Sequence, residues 1–271
     1  MNTATDGALA LAIAQFAPTS DRAANLARIA EMTADAAAQG AHVIVFPEYS
    51  SFFVAPFDAS LAAHAEPLDG PFVTALTEIA ARHAVVVVAG LLERASDATR
   101  VRNTVVAVSA AGRLAVYRKL HLYDAFGQRE SDWVEPGELE APETFEVRGI
   151  RFGMQTCYDL RFPEITRRSA DVGAPVALVP AERVRGPLKE HHWQTLITAR
   201  AIENTMYMAA ADHPPPIGVG NSTIVDPEGV ALATIGTGSD VAIARVRLDS
   251  IERVRRANPA LELRRFTIAP R

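Results

Sequence analysis

The sequence predicts an α/β fold, a four-layer α-β-β-α sandwich of two mixed β-sheets flanked by helices. Two observations lead to this prediction. Apolar runs alternate with amphipathic helical segments in the first 92 residues, which is typical of parallel strands buried on both faces. Later in the chain, pairs of short apolar runs are joined by tight turns, which predicts hairpins. Both kinds of strand fit one molecule if two sheets stack and helices cover the outside, whereas a single doubly wound sheet predicts fewer hairpins.

The N-terminal part of the chain repeats a strand-helix-strand pattern. Ser20 or Asp21 can cap the first helix, and Gly40 ends it. The predicted elements are a strand at 9–16, a helix ending at 39, a strand at 43–46, a helix at 71–82 and a strand at 85–92.

The remainder mixes hairpins with further strand-helix units. The predicted elements are hairpins at 104–117, 145–156 and 223–235, helices at 163–172, 188–203 and 250–256, and strands at 176–179, 206–211 and 241–246. Residues 119–144 lack periodicity, and so long an irregular segment inside a compact domain is usually functional.

These elements form one predicted domain at residues 8–257. We expect residues 1–7 to be a disordered N-terminal tail. The C-terminal tail, residues 258–271, combines arginines with apolar side chains that have little of their own to pack against. We therefore expect it to pack at the interface of a homodimer or a higher homo-oligomer.

Composition narrows the class of protein. The 271 residues are 49% hydrophobic and 22% charged, with a formal net charge of -5, which is typical of a soluble globular protein. The acidic balance argues against nucleic acid as the main partner, and no apolar run reaches membrane-spanning length. One cysteine provides no disulfide framework, and the polar N-terminus is a poor secretory signal. We expect a cytoplasmic protein.

Three reactive side chains follow apolar strands. Cys157 is the lone cysteine, and a lone cysteine is either a small core residue or a reactive thiol. Glu48 follows the strand predicted at 43–46, and Lys119 follows a hairpin strand. Ligand sites of α/β folds lie beyond the carboxyl ends of strands, so the three residues together predict a site for acyl transfer.

The motifs around these residues resemble the nitrilase superfamily of carbon-nitrogen hydrolases, specifically its amidase-type branches. The matching segments occur in family order and span nearly the whole chain. They are FPE at 46–48, YRKLHL at 117–122, CYDLRFPE at 157–164, ARAIEN at 199–204, and NS at 221–222 ahead of VDPEG at 225–229.

The resemblance implies a catalytic triad of Glu48, Lys119 and Cys157, with Glu130 as a second glutamate near the site. It also implies the α-β-β-α sandwich, pairing into dimers, and neither a metal nor a cofactor. These residue types suit the reaction. A thiol is mostly protonated at neutral pH, so Cys157 needs a base such as Glu48 to take its proton as it attacks. We expect burial to raise the pKa of Glu48 and Lys119 to oppose that rise.

Four further residues are predicted to bind substrate. Tyr49 directly follows Glu48, and Tyr158 directly follows Cys157. The backbone N–H of Tyr158 and the ammonium of Lys119 can together stabilise an oxyanion. Glu182 and Arg183 follow the strand at 176–179. If the two side chains point into the site, they favour a polar, charged substrate. If they pair with each other instead, they form part of the rim of the site. Both arrangements remain open.

Some polar residues suit structural roles better. Asp159, Arg161 and Glu164 follow the nucleophile and could bind substrate, but an ion pair of Arg161 with a carboxylate, which braces the loop, is expected instead. His191 and His192 are adjacent on a helix and point about 100° apart, which makes them a poor pair of metal ligands.

The predicted activity is thiol-dependent hydrolysis of a non-peptide C–N bond in a small amide, with release of ammonia or an amine. The signature at 157–164 is similar to branches that act on omega-amides of 2-oxo acids and on deaminated glutathione. Hydrolysis of N-carbamoyl amino acids is an alternative, and nitrile hydrolysis is another. A catalytically silent oligomeric scaffold is the non-enzymatic alternative, which the intact triad disfavours.

Overall fold

A computed structural model describes residues 8–270, so the predicted disorder of residues 1–7 lies outside the described part of the chain. The strands are β1 (Leu9–Gln15), β2 (Val43–Val45), β3 (Val86–Arg94), β4 (Val101–Ser109), β5 (Gly112–Arg118), β6 (Phe145–Val147), β7 (Ile150–Met154), β8 (Val176–Pro180), β9 (Tyr207–Ala211), β10 (Thr223–Val225), β11 (Ala231–Thr234) and β12 (Asp240–Val246). The helices are α1 (Arg22–Ala38), α2 (Ser60–Ala63), α3 (Pro71–His83), α4 (Pro163–Asp171), α5 (Lys189–Asn204) and α6 (Leu248–Ala257).

The strands form two six-stranded mixed sheets, in the orders β12-β1-β2-β3-β4-β5 and β11-β10-β9-β8-β7-β6. Parallel pairing occurs at β1-β2-β3 in the first sheet and at β7-β8-β9 in the second, and hairpins supply antiparallel pairs in both. Helices α1 and α3 pack on the first sheet, and α4 and α5 pack on the second. The predicted α-β-β-α sandwich is confirmed.

The core lies between the sheets, because inward-facing side chains alternate along each strand. Leu9, Leu11 and Ile13 of β1 join side chains of the second sheet in one buried cluster. The intervening Ala12 and Ala14 face the other way, into a separate cluster under α1 and α3.

Local signals account for the helices. Asp21 caps α1, its side chain accepting a hydrogen bond from the backbone N–H of Ala24 at 3.0 Å. Ile29, Met32 and Ala36 then lie on one face of α1 and are fully buried against the sheet.

One short helix and one strand pairing escaped the sequence analysis. The short helix α2 has only one buried residue, Leu61, and no periodic pattern announces it. The last strand was predicted at 241–246 and is present as β12, but its antiparallel pairing with β1, over the whole length of β1, was not foreseen. Only the assembled sheet reveals such a long-range pairing.

The strand order sets the position of the site. Strands β2, β5, β7 and β8 all end at the same edge of the sandwich, where the irregular segment 119–144 covers them with a single turn of 3₁₀-helix (Glu130–Asp132). Among residues 8–270, no helix combines the length and apolarity needed to cross a bilayer.

Candidate active site

The structure brings Glu48, Lys119, Cys157 and Glu130 to the floor of one cavity. The Nζ of Lys119 donates hydrogen bonds at 2.9 Å to Oε1 of Glu48 and at 2.9 Å to Oε1 of Glu130. All four side chains are buried, with Lys119 only 2% exposed. A charge this deep persists only with charged partners, and the two carboxylates supply them.

Glu48 is held from several directions besides Lys119. Its Oε1 accepts a hydrogen bond from Nδ2 of Asn103 at 2.6 Å, and its Oε2 accepts one from the backbone N–H of Glu182 at 2.6 Å. The Nε2 of His213 lies 2.7 Å from the backbone carbonyl of Glu48, to which it can donate. Sequence reasoning missed Asn103 and His213, although a polar side chain within or beside a buried apolar strand is a signal that it needs a specific partner.

The two glutamates have opposite pKa shifts. Burial raises the pKa of Glu48 above its usual value, against the lowering effect of Lys119, and the charge of Glu130 adds to the rise. Burial also acts to raise the pKa of Glu130, but the ammonium of Lys119 and hydrogen bonds to its carboxylate outweigh this and lower it. Burial disfavours the charge of Lys119, yet the two carboxylates raise the pKa of its ammonium well above its usual value.

Cys157 is the first residue of a single 3₁₀ turn (Cys157–Arg161) that follows β7. Its backbone has φ of +44°, in the left-handed region that side chains other than glycine rarely adopt, which is common for functional residues. The thiol donates a hydrogen bond to the carbonyl oxygen of Glu182 at 3.3 Å. Burial and the nearby Glu48 raise the pKa of the Cys157 thiol well above its usual value, so it is protonated at neutral pH.

Asp159 braces the nucleophile turn, but within residues 8–270 Arg161 pairs with neither Asp159 nor Glu164, so the predicted arginine–carboxylate brace is wrong. Its carboxylate accepts hydrogen bonds from the hydroxyl of Tyr117 at 2.7 Å and from the backbone N–H of His121 at 3.0 Å. Tyr117 and His121 flank Lys119 in sequence, so Asp159 ties the lysine-bearing segment to the turn of Cys157. The carboxylate of Asp159 is directed instead towards these two donors at and beyond the end of β5.

The two tyrosines predicted to bind substrate have different surroundings. Tyr49 lines the cavity and donates its hydroxyl to Oε1 of Glu130 at 2.7 Å. The ring of Tyr158 packs edge-on against Tyr123 and Phe162 and lies outside the cavity lining. Its backbone N–H belongs to the first turn of a helix, where amides lack intrahelical acceptors.

Glu182 and Arg183 point to different places. Glu182 lines the cavity, where burial and the charge of Glu48 raise the pKa of its carboxyl well above the usual value. Arg183 is buried at 2% exposure behind the lining, and its backbone N–H donates to Asp212 at 2.7 Å. Within the described residues the two side chains form no ion pair, so the alternative that they pair at the rim is wrong.

The cavity has a volume of about 420 Å³, enough for a small molecule. Its lining includes the carboxyl groups of Glu48, Glu130 and Glu182. It also includes the aromatic side chains of Tyr49, Phe53, Phe57, Tyr123 and Trp133.

Comparison with known proteins identifies this arrangement. Residues 10–256 match the family model described as carbon-nitrogen hydrolase. The deaminated glutathione amidase of Escherichia coli O157:H7 is 39% identical over 257 residues, covering 94% of this chain and 97% of that protein. The NitFhit protein of C. elegans superposes with a TM-score of 0.86 at 28% identity over 96% of this chain, which spans 66% of that longer protein.

A third relative shows the chemistry of the cysteine. In a variant of the amidase from Nesterenkonia sp. AN1, the acetamide moiety of fluoroacetamide is added covalently at the active site cysteine. That structure superposes with a TM-score of 0.79 at 26% identity, covering 94% of this chain and 97% of the relative. The chain therefore belongs to the carbon-nitrogen hydrolase family, within the amidases of the nitrilase superfamily, and hydrolyses C–N bonds other than peptide bonds.

Proposed function

We propose that Cys157 attacks the carbonyl carbon of a small-molecule amide and forms a thioester, with Glu48 as general base and acid. One observation carries this assignment. A protonated thiol and a carboxyl with a raised pKa share the floor of one cavity with a lysine held by two carboxylates. That combination supplies a nucleophile, a proton acceptor and a fixed positive charge.

In the first step, Glu48 takes the thiol proton as the sulfur of Cys157 bonds to the amide carbon. The carbonyl oxygen becomes an oxyanion, which the ammonium of Lys119 and the backbone N–H of Tyr158 stabilise. Such a donor typically contributes about 3 kcal/mol to lowering the barrier. Glu130 keeps Lys119 charged and oriented through their hydrogen bond.

In the second step, the C–N bond breaks and Glu48 gives its proton to the departing nitrogen, leaving a thioester on Cys157. A water molecule then attacks the thioester carbon while Glu48 accepts one of its protons. The thiolate leaves and takes back the proton that Glu48 accepted from the water, and the carboxylic acid product is released. This cycle uses only side chains and water, and it assigns no role to a metal or cofactor.

Deaminated glutathione is the first substrate to test, because a relative that matches this chain nearly end to end is named deaminated glutathione amidase. Omega-amides of 2-oxo acids come next. N-carbamoyl amino acids and nitriles remain alternatives on the same triad, and product identification separates them. We also propose a cytoplasmic location, because a reducing compartment preserves a single catalytic thiol.

The test of the mechanism is the variant Cys157→Ala, assayed for ammonia or amine release across these amides. We expect loss of turnover to the background rate, because no other thiol exists in the chain. The variant should remain folded, with a cooperative unfolding transition in urea and the circular dichroism spectrum of the wild type.

Trapping provides the complementary measurement. Mass spectrometry of the wild-type protein quenched during turnover should show an acyl adduct on Cys157. Turnover close to wild type in Cys157→Ala, or an adduct on another residue, would contradict the proposed mechanism.

A further inference from the structure

The segment that follows β8 contacts both the base and the nucleophile. The backbone N–H of Glu182 donates to Oε2 of Glu48 at 2.6 Å, and the backbone carbonyl of Glu182 accepts from the thiol of Cys157 at 3.3 Å. The two contacts come from adjacent peptide groups, so the backbone at Glu182 links the two side chains that exchange a proton in the proposed reaction. The orientation of these peptide groups therefore affects the separation of base and nucleophile.

The second of the two peptide groups, which joins Glu182 to Arg183, is also held on its opposite side. Its N–H donates to Oδ1 of Asp212 at 2.7 Å. This peptide bond is trans, and the N–H and C=O of a trans peptide group point in opposite directions. One planar group thus has the carboxyl group of Asp212 at its N–H and the thiol of Cys157 at its carbonyl oxygen.

Asp212 is itself anchored to both sheets. It directly follows β9 and is fully buried, and its backbone N–H donates to Oγ of Ser222 at 2.9 Å. The hydroxyl of Ser222 donates to Oε1 of Gln15, the last residue of β1, at 2.6 Å. The Oδ2 of Asp212 accepts from the backbone N–H of Val219 at 3.0 Å, a donor that is shared with the carbonyl of Arg183. These contacts leave the carboxyl group little freedom to move.

Within the described residues, the carboxyl group of Asp212 accepts hydrogen bonds from backbone amides and forms no ion pair. Burial raises the pKa of Asp212 well above its usual value, and backbone N–H groups, led by that of Arg183, act to lower it. A buried carboxyl group is costly without donors, and a buried N–H is costly without an acceptor. Asp212 and the 182–183 peptide group therefore stabilise each other.

We propose that Asp212 is a positioning residue for Cys157, because its carboxyl group holds the 182–183 peptide group with the carbonyl directed at the thiol. This inference rests on the proposed function. Without Asp212, the N–H of Arg183 would lack an acceptor, and rotation of the peptide group is the simplest way to find one. That rotation would turn the carbonyl of Glu182 away from Cys157 and free the sulfur to move relative to Glu48.

Asp212→Ala tests the proposal by removing both acceptor oxygens. We expect kcat for deaminated glutathione to fall at least about tenfold, with KM within about threefold of the wild type, because the reacting groups are misplaced while the side chains that line the cavity are kept. Asp212→Asn retains one acceptor oxygen for the N–H of Arg183 and should restore part of the lost kcat.

Asp226→Ala is the matched control. The carboxyl group of Asp226 also accepts from two backbone N–H groups, those of Glu228 and Val230 at 2.9 Å each. It lies in the turn between β10 and β11, outside the cavity lining. We expect the kcat of the wild type in this variant, whatever the change in the free energy of unfolding.

A spectroscopic measurement follows the thiol itself and needs no substrate. Cys157 is the only cysteine of the chain, so the S–H stretching band in the infrared spectrum belongs to it, and Cys157→Ala should lack the band. In Asp212→Ala the band should move to higher frequency, because a thiol that loses its acceptor has a stronger S–H bond. Asp226→Ala should leave the band in place. If Asp212→Ala does not fold, Ser222→Ala, which removes the acceptor of the Asp212 N–H, should lower kcat and move the band in the same direction.

The outcomes separate this inference from the proposed function. An unmoved band, or a wild-type kcat in Asp212→Ala, would overturn the positioning role, while turnover that depends on Cys157 leaves the amidase mechanism standing. If Cys157→Ala keeps wild-type turnover, the proposed mechanism is wrong, whereas a shifted band in Asp212→Ala still shows that Asp212 orients the thiol.

Discussion

Glu48 and Glu130 show how the surroundings of one residue type produce two chemical behaviours. Both are buried and both accept a hydrogen bond from Lys119. Glu130 also accepts from the hydroxyl of Tyr49 and the backbone N–H of Tyr123, which favour its ionised form. Its lowered pKa keeps it an anion, whereas the raised pKa of Glu48 suits a group that must gain and lose a proton.

His213 supports Glu48 and leads to a prediction about pH and stability. Burial lowers its pKa to about 4 from 6.5, so the unfolded state binds the proton more readily than the folded state. The free energy of unfolding must then fall as pH drops from 6.5 towards 4, by about 3 kcal/mol in total from this residue. His213→Gln keeps a donor for the Glu48 carbonyl but does not titrate.

Urea denaturation at a series of pH values checks this. The wild type should lose more stability than His213→Gln between pH 6.5 and pH 4, and the two curves should run parallel above pH 7. Identical curves for the two proteins would show that folding does not lower the pKa of His213.

At the scale of elements, β3 and the turn after β2 form a single unit. The backbone N–H of Gly90 in β3 donates to the carbonyl of Pro47 at 3.2 Å, and its carbonyl accepts from Ser51 at 3.0 Å. A Cβ on Gly90 would lie 2.8 Å from the carbonyl carbon of Glu48. The strand approaches the catalytic turn this closely only because residue 90 has no side chain.

Gly90→Ala therefore tests whether this contact positions the base. The added methyl group must push the turn away, which should destabilise the fold by about 1–3 kcal/mol and lower kcat more than about tenfold. Gly236→Ala is the control, because a Cβ there meets no atom within 4 Å. Amide hydrolysis and urea denaturation measure both effects, and a Gly90→Ala enzyme with wild-type kcat would show that Glu48 does not depend on this contact.

For the whole molecule, the C-terminal tail leaves an apolar surface uncovered. Phe266 is 89% exposed and Leu263 is 69% exposed, while Arg264 pairs with Asp171 of α4 at 2.6 Å. The tail thus lies on α4 with large apolar side chains facing outward, which favours a protein partner. We propose that a second copy of the chain covers this surface, forming a homodimer in which the tail packs at the interface.

Phe266→Asp tests that proposal by sedimentation velocity. A central aromatic side chain at an interface typically contributes at least about 2 kcal/mol, so the dissociation constant should rise about thirtyfold or more. Val230→Asp, at another exposed apolar position, should leave association unchanged. A wild type that sediments as a monomer at all accessible concentrations would rule out the homodimer.

Much of the architecture was accessible from the sequence because the signals are local. The cap at Ser20 or Asp21 and the buried strand at 9–16 were predicted from residues within a few positions of one another. The structure confirms both, with Asp21 as the cap and β1 at Leu9–Gln15. The expected rise in the pKa of Glu48 and the opposing effect of Lys119 also agree with the structure. The expected brace of Arg161 with a carboxylate is wrong, because Asp159 accepts hydrogen bonds from Tyr117 and from the backbone N–H of His121 instead.

The sequence alone determined the strand and helix segments, the family, and the identity of the reactive side chains, because periodicity and motif order are properties of neighbouring residues. Only the tertiary structure decided what surrounds each of those side chains. The hydrogen bonds of Asn103 to Glu48 and of Tyr117 to Asp159 join segments far apart in the chain. Burial and neighbouring charges shift the pKa values of Glu48, Glu130 and Cys157. Both arise only when the two sheets stack.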